Sequence, residues 1–563
     1  MNATRSTALS CFVVLAAPAA AQVSPGPQIS AVAPGFEADS WSPRITLRTD
    51  TGEFAAPVHV TQLPDGRLVF MGYSRPTDGP MEDEEQTPLV FDLVPDPLGA
   101  PFPKAVVVPE IPVPLDFQPG IFFPLVLSDD LFCSGHTLTS DGALFTAGGT
   151  RGYIDLFSLD VSSTGLPYAT HYDGTTWTRL PAEMLVIATM DTPARWYPAV
   201  TRLPDERLLV TGGYDFVYPL PAPKPSTEIY DPATGGWQIL SDFGQTPFEI
   251  WNSDYTHPFV LPAQVGGSDL LVFGEAGLPL LLSLQGAPTW QVAPAPRPGT
   301  TPGIGSNNGA STALLPIRLQ DGEWGYSNGS VLMAGGTPGT VHHHRADVYD
   351  PRAEAWLPSV DLRVRRHHPD TVLLPDGRVL ILVGHNLQGD PLTRRAQYVD
   401  PAVGFRMSFG TSETEEVRGY HSVAVLLPDG RVLVGGGRDS DTDASLEKND
   451  FRYYYPSYMR KLRPAITAAP AALSYGQPFP VASAGAPPAE VVLVGLGSMT
   501  HSIDFNQRYV QLALAGTVPT PGPGHLSTVV APLDARVAPP GHYMLFVLDA
   551  ERVPSEARIV HLD

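Results

Sequence analysis

A phrase that recurs through most of the chain is the feature that most limits its fold. It reads as an apolar residue, Pro, Asp, Gly and Arg, then a short apolar run, then Gly-Gly. Its turn residue, or the equivalent one, falls at Asp65, Asp141, Asp205, Asp269, Asn328, Asp376 and Asp429. Asp-Gly favours a hairpin turn because the positive φ values that it tolerates match the twist of paired strands. Each copy therefore predicts a hairpin whose second strand is apolar and buried.

The spacing of the copies sets the size of the repeated unit. Successive copies start about 50 to 75 residues apart, which is room for about four short strands in each unit. One such unit cannot bury its own two faces, whereas seven units arranged radially can do so. The repeat also resembles the kelch repeat. We therefore predict an all-β chain with a seven-bladed kelch-type propeller over residues 42–460, and a solenoid of the same units is the alternative.

The repeat pattern stops after the seventh copy. Short alternating strands follow, such as those at 490–494 and 543–547, and proline clusters separate them. This pattern is typical of an immunoglobulin-like β-sandwich. A second domain of that class is predicted over residues 461–563.

The N-terminal end has the pattern of a secretory signal peptide. Arg5 supplies a positive charge, an apolar core follows, and small residues at 19–21 offer a cleavage site before Gln22. We expect a signal peptide over residues 1–21, a lead-in segment over 22–41 and a secreted protein. Elsewhere the sequence has no run of about 18 apolar residues, so no membrane span is predicted.

The charge of the chain argues against one class of partner. The sequence has 35 Lys and Arg residues against 58 Asp and Glu residues, which gives a formal net charge of -23. Such a field repels polyphosphates rather than collecting them. No nucleic-acid partner is expected.

Several chemically versatile residues share one place in the repeat. Counting back eight residues from a turn residue leads to Cys133, Tyr197, His368 and His421, and Tyr420 precedes the last of these. Equivalent positions of different blades converge on the axis of a propeller, so these side chains are predicted to meet. Cys133 is the single cysteine left after the leader, and such a thiol is either an inert buried residue or a reactive one. The shared position favours a functional site.

Four short motifs surround these residues and a further histidine near the C-terminal end. They are Phe132-Cys133-Ser134-Gly135, Arg195-Trp196-Tyr197-Pro198, Tyr420-His421-Ser422 and Met499-Thr500-His501-Ser502-Ile503-Asp504. Together they resemble the motifs of the copper-radical oxidases, the family of galactose oxidase and glyoxal oxidase. They occur in the order of that family, and the resemblance extends over nearly the whole mature chain. The residues around Tyr197 look closer to the glyoxal oxidase branch.

The resemblance implies a metal site and a cofactor made from the chain itself. Tyr197, Tyr420, His421 and His501 would bind one copper ion, and a thioether between Cys133 and Tyr197 would form a Cys-Tyr radical. Imidazole and oxygen ligands suit Cu(II). The implied reaction is the oxidation of a small aldehyde or primary alcohol, with O2 reduced to hydrogen peroxide and Tyr420 acting as the general base. Carbohydrate is a further candidate substrate.

Two positions near this site are open to interpretation. His368 is a candidate for orienting substrate, and Arg365 and Arg366 are nearby candidates for the same role. Galactose oxidase has a tryptophan over its thioether just after a Gly-Gly pair, whereas this chain has Tyr214 there. The aromatic cover would come from Tyr214 or from another loop, such as the one that holds Trp251.

Two other functions remain as alternatives. A non-catalytic kelch propeller could bind glycan or protein at the cell surface, since fold alone does not imply chemistry. Such a scaffold has no need to align a cysteine, two tyrosines and two histidines. A hydrolase with a metal-bound water is the other alternative, but hydrolytic sites usually combine imidazoles with carboxylates rather than with two phenols.

Overall fold

The computed structural model describes most of the chain from Gly35 onward, and its long elements are all β-strands. The described residues are 35–47, 54–72, 74–75, 89–91, 106–107, 125–154, 161–185, 193–217, 220–224, 226–241, 245–247, 250, 254–274, 278–299, 309–319, 329–337, 343–386, 391–439 and 447–563. The predicted signal peptide lies outside them. No helix in these ranges is long and apolar enough to cross a bilayer.

Seven antiparallel sheets form the blades of a propeller. Blade 1 comprises His59–Gln62, Leu68–Met71, Leu89–Phe91 and Val106–Val107. Blade 2 comprises Gly135–Leu138, Leu144–Ala147, Tyr168–Tyr172 and Trp177–Glu183. Blade 3 comprises Ala199–Arg202, Leu208–Thr211, Thr227–Asp231 and Gly236–Ser241. Blade 4 comprises His257–Val265, Ser268–Phe273, Pro279–Ser283 and Thr289–Val292.

The remaining blades follow the same plan. Blade 5 comprises Ala310–Leu314, Val331–Gly335, Arg345–Asp350, Ala355–Trp356 and Val360–Asp361. Blade 6 comprises Asp370–Leu373, Val379–Leu382, Arg395–Asp400 and Arg406–Glu413. Blade 7 comprises Ser422–Leu426, Val432–Gly436 and Asp450–Tyr455. Smaller sheets and 3-10 helices occupy Phe54–Ala55, Ser74–Arg75, Leu125–Asp130, Thr150–Ile154, Val161–Gly165, Tyr214–Val217, Leu220–Pro223, Pro391–Arg394, Pro401–Val403 and Ser457–Arg460.

Strands from the beginning of the described chain complete the last two blades. Gly35–Glu37 pairs in parallel with the outer strand of blade 6, and Ser40–Trp41 and Ile45–Thr46 pair with the outer strand of blade 7. Between them the buried Asp39 accepts a hydrogen bond of 2.6 Å from the hydroxyl of Tyr454. Part of the segment predicted as a lead-in therefore contributes strands to the propeller.

The recurring Asp-Gly-Arg phrase forms a hairpin turn with its own internal pairing. In blade 1 the Asp65 carboxylate accepts the backbone N–H of Arg67 at 3.0 Å and its guanidinium N–H at 2.7 Å. The same two bonds recur in blades 3, 6 and 7, from Arg207 to Asp205, from Arg378 to Asp376 and from Arg431 to Asp429. This pairing explains why aspartate and arginine keep a fixed spacing in the phrase.

The fourth copy of the phrase departs from this arrangement. Asp269 lies inside the strand Ser268–Phe273, and the turn before it is made by Gly266 and Gly267, both with positive φ. The turn predicted at Asp269 is therefore wrong. The fifth turn residue, Asn328, lies outside the described residues.

The C-terminal domain is a curled eight-stranded sheet. Its strands are Ala465–Ala468, Ala472–Leu473, Pro478–Ala484, Glu490–Gly495, Tyr509–Pro519, Gly524–Val530, Gly541–Leu548 and Arg558–Leu562. A loop from this domain enters the propeller, where Ser498–Thr500 pairs with the innermost strand of blade 1. The predicted fold class, a seven-bladed propeller followed by an immunoglobulin-like domain, is confirmed.

Candidate metal centre

In blades 2 to 7, the chain takes a left-handed backbone conformation just before the innermost strand. The φ angles lie between 43° and 70°, at Cys133, Tyr197, Tyr255, Gly309, His368 and His421. A side chain larger than glycine pays about 1–3 kcal/mol for such a conformation, so it persists only where the surroundings fix it. In blade 1, the loop from the C-terminal domain pairs with the innermost strand through Ser498–Thr500. His501, the next residue of that loop, also has a positive φ, of 46°.

Buried arginines hold three of these loops in place. The guanidinium of Arg195 donates to the carbonyl of Gly212 at 2.6 Å, and that of Arg418 donates to Gly436 at 2.7 Å. Arg366 donates to the carbonyl of Thr393 at 2.8 Å in the same manner. All three arginines are fully buried. Arg366 therefore fixes its loop and has no exposed surface that could meet a substrate, so its predicted role in orienting substrate is wrong.

The four side chains predicted as metal ligands lie together on the axis. The hydroxyl oxygens of Tyr197 and Tyr420 are 3.0 Å apart. The ring centre of His501 lies 4.7 Å from that of His421, 5.0 Å from Tyr420 and 5.4 Å from Tyr197. The loop from the C-terminal domain thus brings its histidine to residues from blades 3 and 7.

Cys133 lies beside this group. Its thiol is fully buried in an apolar cluster that also contains Phe132 and Tyr197. Its carbonyl accepts the backbone N–H of Tyr197 at 2.9 Å, which ties the two loops together. The predicted partners of a thioether are therefore neighbours in the fold.

The two histidines use the same ring nitrogen to contact the protein. Nδ1 of His501 lies 2.6 Å from the hydroxyl of Thr500, and Nδ1 of His421 lies 2.9 Å from the Glu447 carboxylate. Nε2 of His501 is buried with no hydrogen-bond partner, and buried polar atoms without a partner are rare in proteins. Burial also lowers the pKa of His501 well below its usual value, which keeps the ring in the neutral form that binds metals. The residues therefore fit a metal ion at Nε2.

The two tyrosines depend on a cation to ionise. Burial raises the pKa of Tyr197 and of Tyr420 well above the usual value, and the neighbouring Cys133 raises both further. A divalent metal is the kind of charge that would reverse this shift. Across the described ranges, no three His, Cys, Asp or Glu side chains form a metal site, so this cluster is one of two imidazoles and two phenols.

A cleft opens on the side of the cluster that faces blades 4 to 6. Its walls include Tyr197, Tyr255, His257, His368, Tyr420 and His501. The ring of His368 lies 5.0 Å from that of Tyr420, as expected for a residue predicted near the pocket. Gly309 makes room at this wall, because a Cβ there would lie 2.4 Å from Nε2 of His367.

Two aromatic rings pack against Tyr197. Tyr214 is stacked on it at 6.0 Å with an interplanar angle of 23°, and Trp196 lies 4.9 Å away at 46°. Tyr214, one of the two residues predicted to supply an aromatic cover, is therefore a direct neighbour of Tyr197. Trp251, the other candidate, lies outside the described residues.

Several residues of the site could not be predicted from the sequence. Tyr255 occupies the left-handed position of blade 4, where its N–H donates to the carbonyl of Tyr197 at 2.8 Å. Counting back from Asp269 could not find it, because Asp269 is not the turn residue. His257, Glu447 and His59 are others, and none of the three belongs to the recurring phrase.

Comparisons with known proteins agree with the motifs. Residues 463–562 match the family described as galactose oxidase-like, Early set domain. The aldehyde oxidase GLOX1 of Arabidopsis thaliana is 28% identical over 475 residues, which cover 77% of this chain and 72% of that protein. A galactose oxidase of Gibberella zeae is 23% identical, over 78% of this chain and 61% of its own length.

A solved structure shares the fold. It is a fungal alcohol oxidase of the AA5 family in complex with copper, which superimposes with a TM-score of 0.65 at 19% identity. The match covers 93% of this chain and 99% of that one. The resemblance predicted from the motifs is confirmed: residues 463–562 form a galactose oxidase-like Early set domain, and the chain is a relative of the galactose oxidases and the glyoxal and aldehyde oxidases.

Proposed function

We propose that this chain is a secreted copper-radical oxidase that oxidises small aldehydes or primary alcohols and reduces O2 to hydrogen peroxide. The observation that carries this proposal is the buried cluster of Tyr197, Tyr420, His421 and His501 beside Cys133. The names of the relatives, aldehyde oxidase and galactose oxidase, support the same class of reaction.

Tyr197, Tyr420 and the Nε2 atoms of His421 and His501 would hold the metal. Copper would supply a one-electron couple when it is bound, and a Cys133–Tyr197 thioether radical would accept the second of the two electrons that oxidation of an alcohol or aldehyde hydrate releases. Burial of the Cys133 and Tyr197 side chains protects such a radical from solvent. The stacked ring of Tyr214 adds to that protection.

Tyr420 is the residue suited to accept the proton of the substrate hydroxyl. Its own hydroxyl lies 3.0 Å from that of Tyr197, at the wall of the cleft. The guanidinium of Arg438 lies over the Tyr420 ring, 4.7 Å from its centre, and would favour the ionised phenol. A positioned general base of this kind contributes about 10²–10⁴-fold to a rate.

His368 and His257 would orient the substrate in the cleft. Both rings are buried and both line it. Nδ1 of His257 lies 2.6 Å from the hydroxyl of Thr312, so its other nitrogen is the one that can meet a substrate oxygen. This polar lining favours small oxygenated substrates over long apolar chains.

The test is turnover after copper loading. Metal-free protein is treated with Cu(II) in air, and oxygen uptake and peroxide are followed with aldehydes, diols, sugars and aromatic alcohols. Cys133→Ala, Tyr197→Phe and His501→Ala are each expected to lose nearly all activity. Tyr398→Phe is the matched control, because it removes a buried hydroxyl that bonds to Tyr454 away from the cleft. Wild-type rates in the three variants would refute the proposal.

A further inference from the structure

His59 is a buried histidine next to the metal cluster that belongs to none of the recurring motifs. It lies in the innermost strand of blade 1, directly opposite Thr500 in the inserted strand that leads to His501. Its ring is fully buried, 5.8 Å from the ring of His501 and 6.1 Å from that of Phe132. It therefore contacts both the segment that carries Cys133 and the segment that carries His501.

The imidazole of His59 makes one specific bond to the cysteine loop. The backbone N–H of Cys133 donates to Nε2 of His59 at 3.1 Å. Cys133 has a φ of 60°, which is unfavourable for a residue with a side chain. A strained conformation of this kind persists only when neighbouring groups hold it. The bond from His59 is one such group.

We propose that His59 is a positioning residue for the thioether: by accepting the Cys133 N–H, it holds the left-handed backbone that keeps the thiol against the ring of Tyr197. This inference rests on the proposed function. In the reaction that it assists, the S–H bond of Cys133 and one ring C–H bond of Tyr197 break and a C–S bond forms. The two electrons and two protons pass to O2, which becomes hydrogen peroxide.

The choice of histidine at this place supports the inference. Nε2 accepts a hydrogen bond, so the ring proton of the neutral imidazole is on Nδ1, and Nδ1 has no hydrogen-bond partner. A fully buried N–H without a partner costs stability, and an apolar side chain would avoid that cost. The acceptor at Nε2 is the function that an apolar residue could not supply.

The neighbouring His136 provides a matched control. Its ring is also fully buried and lies 5.1 Å from that of His59. Its Nδ1 lies 2.7 Å from the hydroxyl of Ser498 and 3.1 Å from that of Thr61. Replacing it therefore removes a buried imidazole from the same region and leaves the bond to the Cys133 N–H in place.

The experiment follows formation of the thioether rather than turnover. Metal-free wild type, His59→Leu, His59→Phe, His59→Gln and His136→Leu are mixed with saturating Cu(II) in air, and the loss of two hydrogens is timed by intact mass. The two apolar variants at position 59 are expected to form the thioether about tenfold more slowly, the size of effect of one buried hydrogen bond. His59→Gln keeps an acceptor and is expected to recover most of the wild-type rate, and His136→Leu is expected to match wild type.

The outcomes separate this inference from the proposed function. If wild type loses no hydrogens, the copper-radical proposal itself fails. If wild type forms the thioether and a folded His59→Leu or His59→Phe does so at the same rate, only the role of His59 is refuted. A slow rate in His59→Gln equal to that in the apolar variants would also refute it, because the acceptor would then be irrelevant.

Discussion

The hydroxyl oxygens of Tyr197 and Tyr420 lie 3.0 Å apart although 223 positions separate the two residues in the sequence. The propeller makes this contact possible because it brings the loops before the innermost strands of blades 3 and 7 to one axis. The two phenols differ in their neighbours. Tyr197 lies beside Cys133 and under Tyr214, whereas Tyr420 lies against His368 and Arg438.

This difference predicts that replacing the two tyrosines by phenylalanine has different effects on turnover and on formation of the thioether. Tyr420→Phe is expected to lower kcat by about 10²–10⁴-fold through loss of the general base. It retains Cys133 and Tyr197, so the loss of two hydrogens on copper treatment should persist. Tyr197→Phe is expected to abolish both. Peroxide assays and intact mass on the same samples check this, and a Tyr420→Phe protein that turns over normally would contradict it.

Copper is expected to stabilise the fold by joining two domains. His421 belongs to blade 7 and His501 to the loop from the C-terminal domain, so an ion bound by both histidines would link the two domains. A ligand that binds only the folded state adds about 2.7 kcal/mol at one hundred times its Kd. Thermal unfolding of metal-free and copper-loaded protein measures the rise in Tm.

Two controls make the copper prediction specific. A strong chelator should reverse the rise in Tm. In His501→Ala, copper should no longer raise the Tm, and the Tm of the metal-free variant should differ from that of metal-free wild type by less than the rise that copper causes in wild type. An equal rise in His501→Ala would mean that copper stabilises the chain at another place.

Glu447 is expected to set the copper affinity through His421. Its carboxylate lies 2.9 Å from Nδ1 of that histidine, and both side chains are buried. Partners that orient a metal-binding histidine typically change metal affinity about 10–100-fold when they are removed. We expect Glu447→Ala to weaken copper binding by that factor, and Glu447→Gln, which still accepts a hydrogen bond, to weaken it less. Competition with a chelator of known affinity is the measurement.

Tyr214 is expected to affect the lifetime of the Cys133–Tyr197 radical rather than the binding of the metal. Its ring is stacked on that of Tyr197, with the ring centres 6.0 Å apart and an interplanar angle of 23°. Tyr214→Ala should shorten the lifetime of the oxidised radical, whereas Tyr214→Phe, which keeps the ring, should preserve it. Decay of the radical signal in electron paramagnetic resonance tests this. Equal decay in both variants and wild type would remove Tyr214 from this role.

The sequence could predict the propeller and the positions that meet on its axis, because both follow from a repeated turn. Asp65 and Asp429 mark their hairpins through the same pairing to an arginine. In blade 4 the predicted turn position was wrong, because Gly266 and Gly267 form the turn there instead of Asp269. Tyr255 was not found for that reason. His59 and Glu447 could not be found from repeats, because neither belongs to the recurring phrase. The place of His59 depends on how the inserted strand packs, and Glu447 contacts His421 from 26 positions further along the chain.

Asp370 should make the folded state less stable as the pH rises. Burial raises the pKa of its carboxyl to about 8, against an opposing effect of Arg418. Between about pH 4, where the unfolded carboxyl ionises, and pH 8, the folded state therefore holds a proton that the unfolded state has lost, so stability falls as pH increases across this window, by at most about 1.4 kcal/mol per pH unit. Asp370→Asn removes that loss, and its unfolding free energy should depend less steeply on pH than that of wild type. Denaturant titrations at pH 5, 6.5 and 8 measure both slopes, and identical slopes would show that Asp370 ionises normally in the folded protein.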